Sequence, residues 1–502
     1  MLIRKDFDEF CRRYPAFFFG VCLFAGAWIS LCPWDGRGSR LLLCLSVVPF
    51  LRLQRFCIAV LLVVTAVFST ASRVSTFSAP FSAQGTLIAE VTDRHLVTIH
   101  GKSSWRIDLF LHEFRNTKGS LLAKGVYIHT HAPLPCPVRG GGVYKMRGAL
   151  LVDEELQARF RPLWPTLVEQ GWTFSFAEVR VALRRVLEKI FTSLFSGQDE
   201  RIVAGALTFG LYKDPYFQHL MHRAGVEHVL AISGFHFGVV AALTLLFIRG
   251  MRPHIRAVVA IGLLTAYLLV VGPLPSVMRS WWAAIVGLLG VLLGKKATGL
   301  NCFGVGLIAA VIIDPVCLSQ VGCQLSFLAT AAILFFSQYA SQWSSYLIRP
   351  KKRDEFTSFS LTDQGLTTVL QRIFPALSLI VPVWAVVVPY QLGFMEEISL
   401  LGVLYNLCIP LLFSLAMPCI LLAVLFYPIP LLSHLLAFIG ALPLRCGILL
   451  IQAMPEGNWT VGCSGSFSAT LASGIILAIF LFGAIVESRF ASQQAEAWKA
   501  CI

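Results

Sequence analysis

Apolar residues form long uninterrupted runs along this chain, separated by short polar connectors and one extended polar region. Several runs approach or exceed the roughly 20 residues that span a bilayer as a helix. Because backbone groups in lipid must be paired within their own segment, helices are expected. Three runs precede the polar region, at 16–32, 41–51 and 56–71. The spans predicted after it lie at 226–249, 254–272, 276–294, 299–313, 320–340, 374–391, 399–427, 430–453 and 469–487.

The extended polar region, 76–172, has a different period. Short β-branched segments alternate there between apolar and polar residues: GTLIAEVT, HLVTIHG, WRIDLFLHE, GVYIHTH and VYKMRGALLV. Clusters of glycine and proline separate them, of which PLPCPVRGGG is the clearest. The pattern predicts a small all-β barrel or sandwich, and its size suits an OB-like barrel.

The segment 173–213 after the β region predicts amphipathic helices. Its cationic residues, set among apolar neighbours, favour a location on the membrane surface; they are Arg180, Arg184, Arg185 and Lys189. The predicted domains are N-terminal membrane helices (1–75), the β domain (76–172), surface helices (173–225) and a membrane core (226–502).

Lysine and arginine positions orient these spans. Cationic residues occur before the first run, after the second run, and in the loop that holds Arg249 and Arg252. All of these cationic residues lie on the cytoplasmic side if the short run 41–51 crosses the membrane. The pattern predicts a polytopic protein of about twelve spans with both termini cytoplasmic. It places the β domain outside, after the third span, and the charged segment 349–372 inside. The run 16–32 is expected to be a retained anchor, since no clear cleavage site follows it.

Composition agrees with a membrane protein. The 502 residues are 56% hydrophobic, and the mean hydropathy is +0.73. The net charge of +14 has three possible explanations: the cytoplasmic Lys/Arg excess of a membrane protein, binding to anionic lipid, or binding to a polyanion. Charge alone does not distinguish among them. The 14 cysteines form no C-x-x-C pair and indicate no metal site. Cys136 is the single cysteine of the β region, which therefore has no disulfide of its own.

The stretch HVLAISGFHFG, 228–238, carries polar groups into a predicted span. Ser233 and His236 are three residues apart and share a helix face. Gly234 and Gly238 have the spacing that lets two helices approach closely. The alternative is structural, with Ser233 bonded to its own helix and His236 to a neighbour.

The stretch GPLPSVMRS, 272–280, contains two prolines that interrupt the helical pattern. Arg279 enters the next predicted span. A broken helix within a membrane is tolerated where it lines a cavity or is buried in protein. The alternatives are an external turn with Arg279 extended towards water, or an ion pair of Arg279 with Asp314 or Glu396.

Two further spans carry amides. Gln324 and Ser326 begin the span in DPVCLSQVGCQLSFLAT, and Asn406 lies about two turns into the span in PYQLGFMEEISLLGVLYNLCIP. Polar groups in lipid usually face the bundle interior or a watery path. For Asn406 the alternative is a hydrogen bond between helices.

Taken in order, these stretches resemble the ComEC family of competence DNA-uptake channels. GVEHVLAISGFHFG, 225–238, is similar to the family's signature, with apolar changes at Phe235 and Phe237. GPLPSVMRS, DPVCLSQVGCQLSF and SLLGVLYNLCIP are similar to its later blocks, and TFGLYKD, 208–214, to the block before the signature. The resemblance covers 200–420, while the earlier spans and the β domain fit the family only by layout.

The resemblance implies a channel of the bacterial inner membrane that imports single-stranded DNA. A polyanion needs a wet path lined by donors and cations, because phosphates cannot be desolvated. The candidates for that path are His228, Ser233, His236, Arg279, Gln324 and Asn406. Expected partners are single-stranded DNA, membrane lipid and a periplasmic DNA receptor. An external OB-like module would bind single strands by aromatic stacking and a basic groove, with the candidates Arg94, Lys102, Trp105, Arg106, Tyr144, Lys145 and Arg147.

Many long family members carry a C-terminal metallo-β-lactamase-like domain, and this chain ends soon after its last predicted span. The pattern H-x-H-x-D-H is absent from the sequence, and HTHAP at 129–133 is interpreted as barrel surface. GKSS at 101–104 lacks the first glycine of a P-loop. We therefore expect no enzymatic activity, cofactor or metal in this polypeptide, and expect a separate nuclease and a cytosolic translocase ATPase as partners.

Two other functions stay open. A carrier for a smaller anion, such as a nucleotide or a lipid head group, would use the same broken helix and cations, although small-solute carriers seldom need a β domain. An intramembrane hydrolase would use Ser233 and His236, but no third orienting acid is apparent nearby in the sequence.

Overall fold

The computed structural model describes most of the chain. Its described residues are 2–31, 53–74, 81–99, 102–132, 138–152, 158–172, 176–211, 215–230, 232, 234–272, 275–295, 298–315, 318, 320–347, 378, 380–394, 397–399, 401–455, 460–462 and 469–500. The predicted span 41–51 and the predicted cytoplasmic segment 349–372 lie outside them.

The N-terminal helices are α1 (Leu2–Arg13), α2 (Pro15–Ser30) and α3 (Leu53–Arg73). Helices α1 and α2 meet at a bend of 98°. The bend falls where Pro15 opens α2, a position that suits proline because the first helical N–H has no intrahelical acceptor. The predicted runs 16–32 and 56–71 correspond to α2 and α3.

Within its described residues, the β domain has six strands: β1 (Phe81–Ile99), β2 (Lys102–Asn116), β3 (Leu121–Ala123), β4 (Val126–Ala132), β5 (Gly142–Val152) and β6 (Ala158–Trp172). Because β1 pairs with both β2 and β5, five strands close a ring in the order β1-β2-β4-β6-β5, and β3 extends the edge of β2. Within the ring, β4 and β6 are parallel and the other pairs antiparallel. This is an OB-like barrel.

The strand prediction needs three corrections, of which the first is that the short strand β3 was not predicted. GTLIAEVT and HLVTIHG, predicted as two strands, are one long strand, β1. Strand β6 was not predicted, because its two prolines are unusual in a paired strand. They are accommodated where its pairing with β5 shifts register, from Gly148↔Pro162 to Met146↔Leu167.

Helices α4 (Ala177–Leu194) and α5 (Gln198–Phe209) follow the barrel. Arg180 and Arg184 of α4 are buried against β1, which corrects the expectation that they lie on a membrane-surface face. Arg185 and Lys189 are exposed. The location of α4 on the membrane surface stays a prediction.

The remaining helices are α6 (Pro215–Arg223), α7 (Glu227–Leu230), α8 (Gly234–Phe247), α9 (Pro253–Val271), α10 (Pro275–Leu292), α11 (Gly299–Ile313), α12 (Val321–Leu347), α13 (Ile380–Phe394), α14 (Leu401–Leu425), α15 (Pro430–Gln452) and α16 (Ala469–Ala500). A short antiparallel pair, β7 (Glu397–Ser399) with β8 (Thr460–Gly462), lies beside them.

Six helices of the described chain are long and apolar enough to cross a membrane, or seven if the bent pair α1–α2 is one span. Shorter apolar helices lie at 276–292, 299–313, 321–337 and 380–393. These helices fit a membrane protein. The count of twelve spans stays a prediction, because the shorter helices fall below the roughly 20 residues of a full span.

Small residues let several helices approach closely. A Cβ at Gly20 of α2 would lie 2.6 Å from the backbone oxygen of Gly304 in α11. A Cβ at Gly447 of α15 would lie 2.4 Å from the Phe413 ring of α14. Both contacts follow the general use of small residues at helix interfaces in membranes.

Candidate functional site

Two breaks between helices meet in the membrane domain. The first separates α7 from α8, and the second separates α9 from α10. Because the Trp281 indole of α10 donates to the Thr265 hydroxyl of α9 at 3.0 Å, these two helices lie side by side, and the broken helix at GPLPSVMRS stays a prediction. Gly272 ends α9 with φ +104°, a conformation that glycine adopts readily. The Ser276 hydroxyl of α10 donates to the Ile232 carbonyl at 2.6 Å and so joins the two breaks.

Arg279 lies in the second turn of α10 and is only 7% exposed. Its Nη1 donates to the Ser326 carbonyl at 2.9 Å and to the Thr330 hydroxyl, and its Nη2 donates to the Ser326 hydroxyl at 2.6 Å. The guanidinium carbon lies 5.4 Å from the centre of the Phe327 ring. All these groups belong to α12 and are uncharged.

The sequence left open an ion pair of Arg279 with Asp314 or Glu396. Asp314 is not among the partners of Arg279, and Glu396 lies outside the described residues. Within the described part of the chain, a permanent positive charge is thus buried among neutral oxygens and an aromatic face. Such a charge is costly in a membrane domain and usually marks a functional position.

Ser326 was noted beside Gln324 in the sequence, but neither Ser326 nor Thr330 was among the predicted site residues. Their spacing of four places both hydroxyls on one face of α12, and Thr330 also donates to the Ser326 carbonyl at 2.8 Å. The signal was present in QLSFLAT, where two hydroxyls recur at helical spacing in an apolar run.

The histidines of the signature stretch are placed differently from each other. His236, on α8, is 2% exposed, and its ring donates to the backbone carbonyl of Val229. His228, on α7, is exposed. Ser233 lies outside the described residues, so the predicted contact between Ser233 and His236 stays a prediction.

The two candidate amides tie elements together. Gln324 donates to the Leu318 carbonyl at 2.7 Å and accepts from the Tyr390 hydroxyl at 2.5 Å, which joins α12 to α13. Asn406 donates to the Gly225 carbonyl at 3.2 Å, which joins α14 to the turn before α7. These contacts give both amides a structural role, the alternative raised for Asn406.

Three of the β-domain candidates lie in the barrel's interior or at its junction with α4. Trp105 is 8% exposed and Tyr144 is 2% exposed, contrary to the expectation that their rings face bases. Arg94 lies over the Trp105 ring, 5.1 Å from its centre, and pairs with Glu178 of α4 at 2.5 Å. The side chain of Lys102 lies outside the described residues.

The outer face of β2, β4 and β6 carries a different set of aromatic and cationic groups. Cross-strand pairing sets Phe110 against Tyr127, Arg106 against His131, and His129 against Arg159. The Phe110 and Tyr127 rings are 5.1 Å apart, and Tyr127 is 38% exposed. We call these six residues the outer barrel face. Of the predicted candidates, Arg106 belongs to it, and Lys145 and Arg147 are exposed on neighbouring β5.

Two histidines of the outer barrel face have perturbed pKa values. Burial, and then the positive charge of Arg106, lowers the pKa of His129 and of His131 from the ordinary 6.5. Both rings are therefore neutral at pH 7. They gain positive charge only under acidic conditions.

An ionic cluster joins the barrel to α4 and to the end of α9. Asp93 accepts from Arg184 through both carboxylate oxygens, at 3.2 and 3.1 Å, and its Oδ2 lies 3.4 Å from Arg180 Nε. Arg184 also donates to the Val271 carbonyl at 3.2 Å, and Arg180 to the Thr92 carbonyl at 2.9 Å. A register shift in β1 between Val91 and Asp93 accompanies this placement, as β-bulges commonly re-aim a side chain.

Comparison with known proteins gives two matches. A model of the Competence protein family matches residues 212–489, more than half of the chain. ComE operon protein 3 of Bacillus subtilis (strain 168) is 28% identical over 206 residues, which are 40% of this chain and 26% of that protein. The match thus spans about a quarter of that relative, and no solved structure matches the chain. On the family match, the chain belongs to the ComEC family of competence proteins.

Proposed function

We propose that this chain forms a channel that carries single-stranded DNA across the bacterial inner membrane during natural transformation. The observation that carries the proposal is Arg279, a buried permanent charge whose described partners are all neutral. Family membership supports a role in DNA uptake.

The chemistry around Arg279 suits a passing phosphate. A phosphodiester must exchange its hydration for protein donors, because desolvating an anion without a partner is prohibitive. A guanidinium offers donors in a fixed planar fork that matches phosphate oxygens. The hydroxyls of Ser326 and Thr330 hold that fork in place when no phosphate is near it.

The outer barrel face is proposed to receive the strand before it reaches the membrane. Base stacking on an aromatic ring contributes about 1–3 kcal/mol per base and tolerates any sequence. The neighbouring pair Phe110 and Tyr127 supplies such a surface, and Arg159 supplies charge for the backbone, together with Arg106, whose charge Asp108 partly offsets at 3.3 Å. This assignment replaces Trp105 and Tyr144, which are buried.

The proposal includes a location and partners. Residues 76–225 would face the periplasm, 341–373 the cytoplasm, and both termini the cytoplasm. A periplasmic DNA receptor, a separate nuclease and a cytosolic translocase ATPase would act with the chain, which itself would act as a channel and not as an enzyme. Labelling of engineered cysteines in intact cells tests the topology. Labelling of 341–373 from outside would contradict it.

DNA uptake in a null strain complemented with the chain tests the function. Arg279→Ala is expected to impair uptake of labelled DNA at an unchanged level of membrane protein, and Arg279→Lys to retain part of it. The matched control is Arg249→Ala, which removes an exposed arginine. Normal DNA uptake in Arg279→Ala would show that Arg279 does not line the DNA path. Transport of labelled nucleotides in place of DNA would indicate the smaller-anion carrier.

A further inference from the structure

A cavity lies where the outer barrel face meets two apolar helices. Its volume is about 500 Å³, which falls within the roughly 300–1,000 Å³ of small-ligand sites. Phe110 and Tyr127 of the outer barrel face line it, together with Arg73, Ile313 and Asp314. Arg73 is the last residue of α3, and Ile313 is the last residue of α11. The cavity is therefore bounded by the barrel and by the ends of these two helices.

The outer barrel face leads towards this cavity. Side chains two residues apart on a strand share a face, and the pairs Arg106–His131 and Phe110–Tyr127 follow one another along β2 and β4. The second pair lines the cavity, whereas the first lies outside its described lining. A DNA strand that lies along the face thus reaches the cavity at the two aromatic rings.

Close contacts fix the walls of the cavity. Gly125, in the loop before β4, has a φ of +66°, and a Cβ there would collide with the Arg73 backbone oxygen. The Gly125 N–H donates to the Leu111 carbonyl of β2 at 2.7 Å. Arg73 Nη1 donates to the Ile312 carbonyl of α11 at 3.0 Å. Because these contacts join the barrel to α3 and α3 to α11, the cavity is formed before a ligand binds.

The described lining of the cavity carries charges of both signs. Arg73 and Asp314 lie at the end of α11, where their opposite charges offset each other. Lys124 and Glu90 lie on the barrel side. A groove for the DNA backbone alone would be positively charged, and Glu90 would repel a bare phosphate. A cation and a carboxylate together suit a ligand that has both an anionic group and hydrogen-bond donors.

Glu90 lies beside the aromatic pair. It is the cross-strand partner of Phe110, which in turn pairs with Tyr127, so the three residues form a row across β1, β2 and β4. The Glu90 side chain is 25% exposed, and its Oε2 lies 3.7 Å from His112 Nε2. Since a carboxylate has about four acceptor sites, Glu90 beside His112 can accept from a further donor. Carboxylates accept in this way from the amino group of cytosine.

We propose that this cavity binds one nucleotide of the incoming strand and prefers a base with an exocyclic amino group. The base stacks on Phe110 and Tyr127 and donates to Glu90, and the adjoining phosphate lies against Lys124. The inference rests on the proposed function, and it adds a point between the barrel and the membrane where the strand is held by a base. The aromatic pair favours a nucleotide over a phospholipid head group, which has no ring to stack.

Binding to the full-length chain, purified in a maltoside detergent, tests the cavity. Fluorescence anisotropy measures the affinity of labelled pentamers of deoxycytidine and of deoxythymidine at neutral pH. The unaltered chain is expected to bind the deoxycytidine pentamer about fivefold more tightly, because thymine has no amino group to donate to Glu90. Glu90→Gln should bind both pentamers equally, since an amide can accept from cytosine and can donate to the thymine O4.

Two variants outside the cavity serve as matched controls. Glu113→Gln changes a carboxylate of β2 that pairs with Arg115 at 2.9 Å, and it should keep the cytosine preference. Lys124→Gln should weaken both pentamers by the same factor, whereas Lys118→Gln, in the turn before β3, should leave both affinities unchanged.

Equal affinities for the two pentamers in the unaltered chain, or a preference that persists in Glu90→Gln, would overturn the proposal. Both results would leave the proposed channel intact, because uptake of labelled DNA in complemented cells is measured separately. A cytosine preference in a chain that restores no uptake to the null strain would contradict the proposed function and leave the nucleotide site standing.

Competition with glycerophosphoethanolamine distinguishes the DNA strand from lipid, because this head group also has an amine and a phosphodiester. It should displace the labelled deoxycytidine pentamer less effectively than the unlabelled pentamer does. More effective displacement would assign the cavity to a phospholipid and overturn the proposal.

Discussion

Asp93 is the residue on which the junction between the barrel and α4 depends most. The Asp93 side chain is 15% exposed, and its partners Arg184 and Arg180 are 10% and 7% exposed. Removing one partner of a buried ion pair leaves an uncompensated charge and costs about 3–5 kcal/mol. Asp93→Asn leaves two buried arginines facing a neutral amide. We therefore expect the opening free energy of α4 to fall by about that amount.

Amide hydrogen exchange of the full-length chain measures this change. Since about 1.4 kcal/mol is a tenfold change in an equilibrium constant, α4 in Asp93→Asn should exchange a hundredfold faster or more. The end of α9 should exchange faster as well, because Arg184 also bonds the Val271 carbonyl. The double variant Asp93→Asn/Arg184→Gln should recover part of the lost opening free energy of α4, because one of the two uncompensated charges is then removed.

Asp108→Asn is the matched control. Asp108 pairs with Arg106 at 3.3 Å, and the two side chains are 29% and 36% exposed. A solvent-exposed pair of this kind contributes about 0–1 kcal/mol, so exchange should change little. An amide exchange rate of α4 in Asp93→Asn that lies within threefold of the rate in the unaltered chain would contradict the prediction. It would refute the conclusion that this ionic cluster holds the barrel to the membrane helices.

Three further predictions concern the amide contact, the outer barrel face and the exposed lysine of neighbouring β5. Gln324→Leu removes the hydrogen bonds of Gln324 to the Leu318 carbonyl and from the Tyr390 hydroxyl, and should destabilise the purified chain by about 1–3 kcal/mol in denaturant unfolding; no change would show that the contact is dispensable. Single-stranded DNA affinity should be flat from pH 8 to 6.5 and rise below pH 6.5 as His129 and His131 gain protons, because their pKa values are lowered from 6.5; His129→Gln/His131→Gln should abolish the rise, and a rise that persists would contradict the assignment. Lys145→Ala should reduce the slope of log affinity against log salt by about 0.7, the loss of one phosphate contact on a single strand; an unchanged slope would take Lys145 out of the interface.

The alternating pattern of β2 shows what the sequence could predict. In WRIDLFLHE, Trp105 has the same phase as Ile107 and Leu109, and all three are buried. The period of two therefore predicts a buried Trp105, although its aromatic ring suggested a DNA-binding role. The helix predicted at 299–313 has the same bounds as α11, because its apolar run is bounded by polar residues on both sides.

The long-range polar contacts were beyond the sequence. Arg184 and Asp93 are 91 positions apart, and nothing in either local pattern indicates that they meet. Arg279 was recognisable as unusual from its place in an apolar run, but its partners on α12 depend on how α10 and α12 pack. Periodicity determines which face of a helix is buried, whereas the partner of a buried polar group depends on the tertiary arrangement.

The stability of an Arg279→Met variant separates function from structure at this position. Taking a charge out of water costs several kcal/mol, and hydrogen bonds to a charged group each return about 1.5–3 kcal/mol. The bonds to Ser326 and Thr330 therefore roughly offset the burial of Arg279 and leave little net stabilisation. Methionine is flexible and apolar and fills an irregular space well. If Arg279 is retained for phosphate, Arg279→Met should unfold at the same temperature as the unaltered chain or higher, while DNA uptake is lost. Thermal unfolding of the purified chain and uptake in complemented cells measure the two quantities. A variant that unfolds at a clearly lower temperature would show that the guanidinium holds α10 to α12, and its loss of uptake would then follow from a damaged fold.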